Sequence, residues 1–249
     1  MARDQHRDAA GPPTFLHAAG HPVRWRLLSE LAASDRQVHE LTALLDQPQS
    51  LVSYHLGRLR RAELVGARRS SADGRDTFYR LDLARCGDLL AETGGALHPA
   101  LRMARPSPPP PVRASVLFLC TGNSSRSQMA EALLRRDCGP AVEACSAGSH
   151  PKPLHPYAIE LFPELGTARP KHFDEFAGRH FDHVITLCDR VREICPDFPG
   201  HPPAVHWSIP DPARDPDGLP AFVRVAAELG ERIGFLLHGI AARQPSEAS

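Results

Sequence analysis

The chain has 249 residues, with 29 Lys+Arg balanced by 29 Asp+Glu, a length that accommodates one or two domains. Its 42% hydrophobic and 23% charged residues are ordinary for a soluble, core-forming protein. No apolar run approaches the roughly 18 residues of a bilayer span, and the opening MARDQHRDAAG lacks the apolar centre of a signal peptide. A cytoplasmic protein with no membrane contact is expected. In that reducing setting six cysteines are reactive, metal-binding or buried thiols rather than a disulfide framework.

The neutral total conceals an asymmetry. Residues 1–113 carry 16 Arg against 12 Asp+Glu, and residues 114–249 carry 13 Lys+Arg against 17 Asp+Glu. A basic half joined to an acidic half suggests two jobs. Composition divides the chain into a tail at 1–12, a domain at 13–95, a Pro-rich linker at 96–113, a second domain at 114–241 and a tail at 242–249. The linker holds five prolines in the six residues 106–111, which favour an extended spacer.

Val23, Leu27, Leu28 and Leu31 repeat at helical spacing, with Pro22 where a helix start tolerates it. Val38, Leu41, Leu44 and Leu45 mark a second helix. Residues 46–49 break it, and Ser50 is positioned to cap a third, whose apolar stripe is Leu51, Val52, Leu56 and Leu59. Two strand-like runs, 64–69 and 77–81, flank Asp73-Gly74 and predict a β-hairpin. Helix, tight turn, helix and basic hairpin make a winged helix-turn-helix, mostly α with a β-hairpin wing. Seven Arg between His55 and Arg80 fall on the recognition helix and wing, opposed by three carboxylates, where phosphate contact needs them. The candidate DNA-contacting residues are Gln49, Ser50, Ser53, Tyr54, His55 and Arg58 on the helix and Arg68, Arg69 and Arg75 on the wing.

His21-Pro22-Val23-Arg24, Ser53-Tyr54-His55-Leu56, residues 59–65 and residues 77–81 resemble the ArsR/SmtB family of metal-responsive repressors. The resemblance implies a homodimer formed through the N-terminal domain, bound to an inverted-repeat DNA operator and released by a metal or metalloid. The chain departs from that family at the sensor. The helix before the recognition helix reads Gln37-Val38-His39-Glu40-Leu41 with no thiol, and Cys86 is the domain's one cysteine. Neither the inducer nor a metal site is legible.

In the second half, Ser115–Leu119 is a short apolar run expected to form a buried parallel strand. It leads into Cys120-Thr121-Gly122-Asn123-Ser124-Ser125-Arg126-Ser127, and helical spacing resumes over residues 128–136. A loop between the carboxyl end of a strand and a helix N-terminus is where open α/β sheets bind ligands. Inward-turned N–H groups of Thr121 through Ser127 suit an oxyanion, and together with Arg126 they favour a Cys120 thiolate. Gly122 permits the tight turn, Arg126 supplies a bidentate fork, and Ser127 can donate to the sulfur. Asp211, held between prolines after a strand at 204–207, is the candidate acid for a departing oxygen.

These features resemble the low-molecular-weight tyrosine phosphatase fold, an α/β domain with a central parallel sheet. They resemble more closely the thioredoxin-coupled arsenate reductases built on it. Ser127-Gln128-Met129-Ala130-Glu131 favours the reductases, and Asp211-Pro212 is followed by Ala213-Arg214 rather than by tyrosine. A phosphatase needs one thiol, whereas Cys188 and Cys195 offer two more. The resemblance implies that Cys120 attacks arsenate, Cys188 attacks Cys120 and releases arsenite, and Cys195 then attacks Cys188. Thioredoxin reduces the resulting disulfide, and no tightly bound cofactor is required.

Residues seven apart on an intact helix are roughly 10 Å apart, beyond the about 7 Å between Cα atoms that a disulfide tolerates. The 188–195 segment must therefore rearrange during the cycle. Ser125 stands where many relatives carry a second loop cysteine, and Cys138 and Cys145 fit no role. Asn123, Glu131, Ser146 and Asp174 are similar to residues that bind potassium in some reductases. The expectation is a bifunctional arsenic-resistance protein, a repressor fused to an arsenate reductase. The alternatives are a tyrosine phosphatase fused to a DNA-binding domain and a regulator with a non-catalytic oxyanion domain.

Overall fold

The computed structural model describes residues 11–72, 74–103, 112–196, 198 and 204–243. Most of both expected tails, the proline run of the linker, and Asp73 of the hairpin turn lie outside the described residues. The chain divides into two compact units, residues 1–68 with 77–106 and residues 69–76 with 107–249.

The N-terminal unit is built from helices α1 (Thr14–Ala19), α2 (Pro22–Ala33), α3 (Val38–Leu45), α4 (Gln49–Arg61) and α5 (Leu83–Leu97). The strands β1 (Arg36–Gln37), β2 (Val65–Arg69) and β3 (Thr77–Leu81) form one sheet in the order β1-β3-β2. α2 starts where its sequence directs: Pro22 takes the first helical position, and His21 Nδ1 accepts the Val23 N–H at 3.2 Å. α3 ends at Asp46, whose left-handed φ of 51° turns the chain toward α4. The cap of α4 is extended Pro48 rather than Ser50, which lies inside the first turn. Leu27, Leu31, Leu41, Leu45, Val52, Leu56 and Leu59 converge as the core. The stretch 92–105, which reads in the sequence as a fading helix end, contains the last turns of α5 and a 3-10 turn at Pro99–Leu101.

The second unit centres on a four-stranded sheet of β4 (Ala114–Cys120), β5 (Val142–Gly148), β6 (His183–Thr186) and β7 (Val205–His206), ordered β5-β4-β6-β7. Every neighbouring pair is parallel. β4 occupies an interior position because Val116, Leu117, Phe118 and Leu119 are buried on both faces. Helices α6 (Arg126–Cys138), α7 (Pro156–Leu161), α8 (Asp189–Glu193) and α9 (Leu219–Ala241) complete it. α9 packs on α6 through a stripe at Phe222, Val225, Leu229, Ile233, Leu237 and Ile240. Among the described residues no helix is long and apolar enough to cross a membrane.

Candidate active site

Three parallel strands deliver the candidate residues to one rim. β4 ends at Cys120, and the loop 121–125 feeds α6, whose first residue is Arg126. β6 runs beside β4 with Leu119 opposite Thr186, and the Leu187 N–H continues the pairing by donating to the Leu119 carbonyl at 2.7 Å. That register carries Cys188 to the loop, and its sulfur lies 3.2 Å from Thr121 Oγ1. β7 runs beside β6, and the chain leaving it supplies Asp211, whose Oδ2 is 3.2 Å from Arg126 Nη2.

The loop is held by its own side chains. Asn123 takes the left-handed position, φ 43°, which asparagine tolerates; Gly122 is not the residue that makes the turn. Asn123 Nδ2 donates to Ser127 Oγ at 2.9 Å and to Ser146 Oγ at 2.8 Å. Ser127 Oγ is 3.0 Å from Cys120 Sγ. Because Asn123 already donates to that oxygen, the Ser127 hydroxyl proton can point at the sulfur. A second loop braces the first: backbone N–H groups of His150, Lys152 and His155 donate to the carbonyls of Thr121, Gly122 and Ser124. Gly148 is glycine for a steric reason, since a Cβ there would lie 2.7–2.9 Å from Thr121 O, Asn123 N and Cys120 O. Ser125 is the N-cap residue of α6, and its carbonyl accepts the Met129 N–H at 2.8 Å.

Arg126 is 6% exposed. Its Nη1 donates to the Ile209 carbonyl at 3.0 Å, while its Nε is buried with no hydrogen-bond partner among the described residues. A buried N–H of this kind is costly unless something fills it, and a tetrahedral oxyanion in the loop is the chemistry that fits. Burial pushes the Cys188 thiol above its ordinary range; the Arg126 guanidinium pulls it down, the Cys120 sulfur pushes it up, and hydrogen bonds from Thr121 and the Val191 backbone pull it down.

Cys188 caps α8, which covers only Asp189–Glu193, and Cys195 lies beyond the helix with its thiol directed at the Pro196 carbonyl. The helix between the two thiols is thus shorter than the sequence spacing alone suggests. Ile194 is 51% exposed and Cys195 is half-buried.

The four residues compared above to a potassium site do not fit that ion. Glu131 Oε2 already receives the Lys171 ammonium at 3.1 Å and the Ser146 hydroxyl at 2.5 Å, and its Oε1 pairs with Arg135 at 2.6 Å. Asn123 Oδ1 accepts from Gln128 and from the Lys171 backbone. Asp174 is exposed and paired with His172. Lysine supplies the positive charge a cation would bring. Among the described residues no group of three or more His, Cys, Asp or Glu is placed to hold a metal.

In the N-terminal unit, Gln49, Ser50, Ser53, Tyr54 and Arg58 are exposed on α4. His55 is not on that face. It is 4% exposed, its ring lies 4.4 Å from that of His21, and burial, with His21, Arg24 and Arg58 beside it, pushes its pKa down. The spacing Val52, His55, Leu56, Leu59 is itself a helical stripe, a signal that marks His55 as inward. On the hairpin, Arg68 is half-buried and Arg69 and Arg75 are exposed. Cys86 is buried, and burial together with Asp82 pushes its thiol up to about 11, which disfavours the thiolate that a soft metal needs.

The family described as low molecular weight phosphotyrosine protein phosphatase matches residues 115–245, more than half of the chain. The chain belongs to that family. Residues 21–66 match a second family, the bacterial regulatory proteins of arsR type. A 125-residue stretch of the chain is 37% identical to an arsenate reductase of Bacillus anthracis, covering 49% of this chain and 92% of that protein. The arsenate reductase of Halalkalibacterium halodurans is 35% identical over 126 residues, 47% of this chain and 91% of the relative. A crystal structure of an arsenate reductase from Archaeoglobus fulgidus shares 32% identity with a TM-score of 0.40, covering 49% of this chain and 98% of that one. The chain joins an arsR-type DNA-binding domain to an arsenate-reductase-like member of the phosphatase family.

Proposed function

We propose that the C-terminal domain reduces arsenate to arsenite through Cys120, Cys188 and Cys195, with thioredoxin as external reductant, and that the N-terminal domain is a homodimeric repressor of an inverted-repeat operator. The observation that carries the enzymatic reading is the Cys188 sulfur at Thr121 Oγ1, one residue from Cys120. Hydrolysis of a phosphoester has no use for that second thiol.

The Cys120 thiolate attacks the arsenic held by the loop N–H groups and Arg126, and an arsenate oxygen leaves as water with a proton from Asp211. The Cys188 thiolate then attacks Cys120 Sγ. The S–As bond breaks, its electron pair reduces As(V) to As(III), and a Cys120–Cys188 disulfide forms. Cys195 attacks Cys188, returning Cys120 as a thiolate, and the thioredoxin dithiol takes the Cys188–Cys195 disulfide. Negative charge on Cys120 raises the neighbouring thiol and the Arg126 guanidinium lowers it; the order of steps follows from the sulfur itself, since Cys120 Sγ is open to thiolate attack only once it is bonded to arsenic.

Asp211→Asn is expected to lower kcat for arsenate by about a hundredfold or more, the usual worth of a positioned acid, which steady-state kinetics would measure. Arsenate reduction coupled to thioredoxin and thioredoxin reductase tests the whole reading. Aryl phosphate hydrolysis that survives Cys188→Ser, with no arsenate turnover, would support the phosphatase alternative instead.

Support for the repressor comes from the exposed polar and aromatic face of α4 and the arginines of the hairpin. Tyr54→Ala is expected to weaken operator binding by about tenfold, in the range of a lost base contact. His55→Ala is expected to act instead through lost thermal stability, as a buried side chain does. Gel shifts and thermal melts on the two variants separate these effects.

A further inference from the structure

We infer that His206 is a positioning residue for the relay thiol Cys188, an inference that rests on the three-thiol reading above. His206 stands at the end of β7, opposite Thr186 in the parallel register with β6. Its ring is held at both edges. Nδ1 lies 2.8 Å from Thr186 Oγ1 and 3.1 Å from the Thr186 carbonyl, and Nε2 lies 3.1 Å from Asp189 Oδ1. Ser208 Oγ donates to the same carboxylate oxygen at 2.7 Å. Thr186 is two residues before Cys188 and Asp189 is one residue after it. A single imidazole therefore ties both flanks of the thiol to the neighbouring strand.

Thr186, Asp189 and His206 are each 1% exposed, and Ser208 is 4% exposed. None of them has a part in the chemistry described above. Burying an Asp–His pair is a poor way to add stability, because desolvation offsets most of the attraction. Fixing one backbone conformation is a use that fits the geometry better. Cys188 needs such support. It is extended, φ −145° and ψ 147°, between the last residue of β6 and the first residue of α8, so neither element fixes it alone. Its task is an in-line attack on a second sulfur, and misplacement of about 1 Å can cost on the order of a hundredfold in rate. At the opposite end of the segment Ile194 is exposed and Cys195 half-buried.

The test uses full-length protein carrying Cys195→Ser, in which the relay stops at the Cys120–Cys188 disulfide. After arsenate is added, arsenite release and that disulfide are followed in acid-quenched samples by peptide mass spectrometry. His206→Leu is expected to slow disulfide formation by at least about tenfold. Protection of Cys120 against iodoacetamide by phosphate, an oxyanion the thiols do not reduce, is expected to stay unchanged. His206→Gln, which keeps a donor toward Asp189, is expected to recover most of the rate. A folded His206→Leu protein that forms the disulfide at the parent rate would overturn the inference, as would an equal loss of phosphate protection. If His206→Leu does not fold, Ser208→Ala removes a donor to Asp189 Oδ1 and leaves the ring in place. A slowing of the same step is then expected, and an unchanged rate would overturn the inference. A Cys195→Ser parent that itself forms no Cys120–Cys188 disulfide would instead remove the relay reading on which the inference stands.

Discussion

Cys120→Ser is expected to abolish arsenate reduction, with turnover falling by at least about a thousandfold, as happens when a nucleophile acting within a catalytic unit is removed. Serine keeps the volume and a hydrogen bond to Ser127 but offers no thiolate at neutral pH and cannot form a disulfide. The loop does not depend on that sulfur for its shape. Asn123, Ser127, Ser146 and Gln128 brace one another, and the carbonyls of Thr121, Gly122 and Ser124 receive N–H groups from the loop beyond β5. Oxyanion binding by Cys120→Ser is accordingly expected to persist. Arsenite production and phosphate binding by calorimetry, measured on the same preparation, would show loss of the first with retention of the second.

Cys188→Ser and Cys195→Ser are expected to fail in different ways. Without Cys188 no electron pair reaches arsenic, so no arsenite forms. Without Cys195 the first two steps remain, and the protein is expected to release about one arsenite per chain and then stop, the burst that an accumulating covalent state produces. The Cys188 thiol is pushed up chiefly by burial, so the thiolate is the minor form near neutrality and the rate of this burst is expected to rise with pH. Quenched-flow measurement of arsenite at several pH values checks both the amplitude and the slope. An amplitude well above one per chain would mean that Cys195 is dispensable.

The phosphate-loop end of the site was legible because its chemistry is contiguous. A strand, a five-residue loop and a helix start follow one another from Ser115 to Gln128, and local rules place them. The approach of Cys188 to the loop was legible only through the family resemblance, because it depends on the register of four paired residues between β4 and β6, separated by more than sixty residues of chain. The role of Lys171 was hidden for the same reason. Its ammonium meets Glu131 across forty residues of sequence, and nothing local marks it as the counter-charge in a place where a metal ion had been a candidate. His206 is inconspicuous as a lone histidine in a short strand, and only the β6–β7 pairing brings it to both sides of Cys188. In the N-terminal unit periodicity marks the helix-turn-helix, whereas the chemical character of His55 alone points it outward. Its place between Val52 and Leu59 on a 3.6-residue repeat turns it toward the core. β1 escaped notice because two residues carry no periodicity. α4 starts at Gln49 because proline at position 48 serves as its cap without a side-chain hydrogen bond.

The most direct measurement is disulfide mapping of the wild-type chain after one equivalent of arsenate is added in the absence of any reductant. The account predicts one new disulfide, Cys188–Cys195, with Cys120, Cys86, Cys138 and Cys145 still alkylatable and one arsenite in solution. Six free thiols with arsenate unchanged, or arsenite formed while Cys188 and Cys195 both remain reduced, would contradict it.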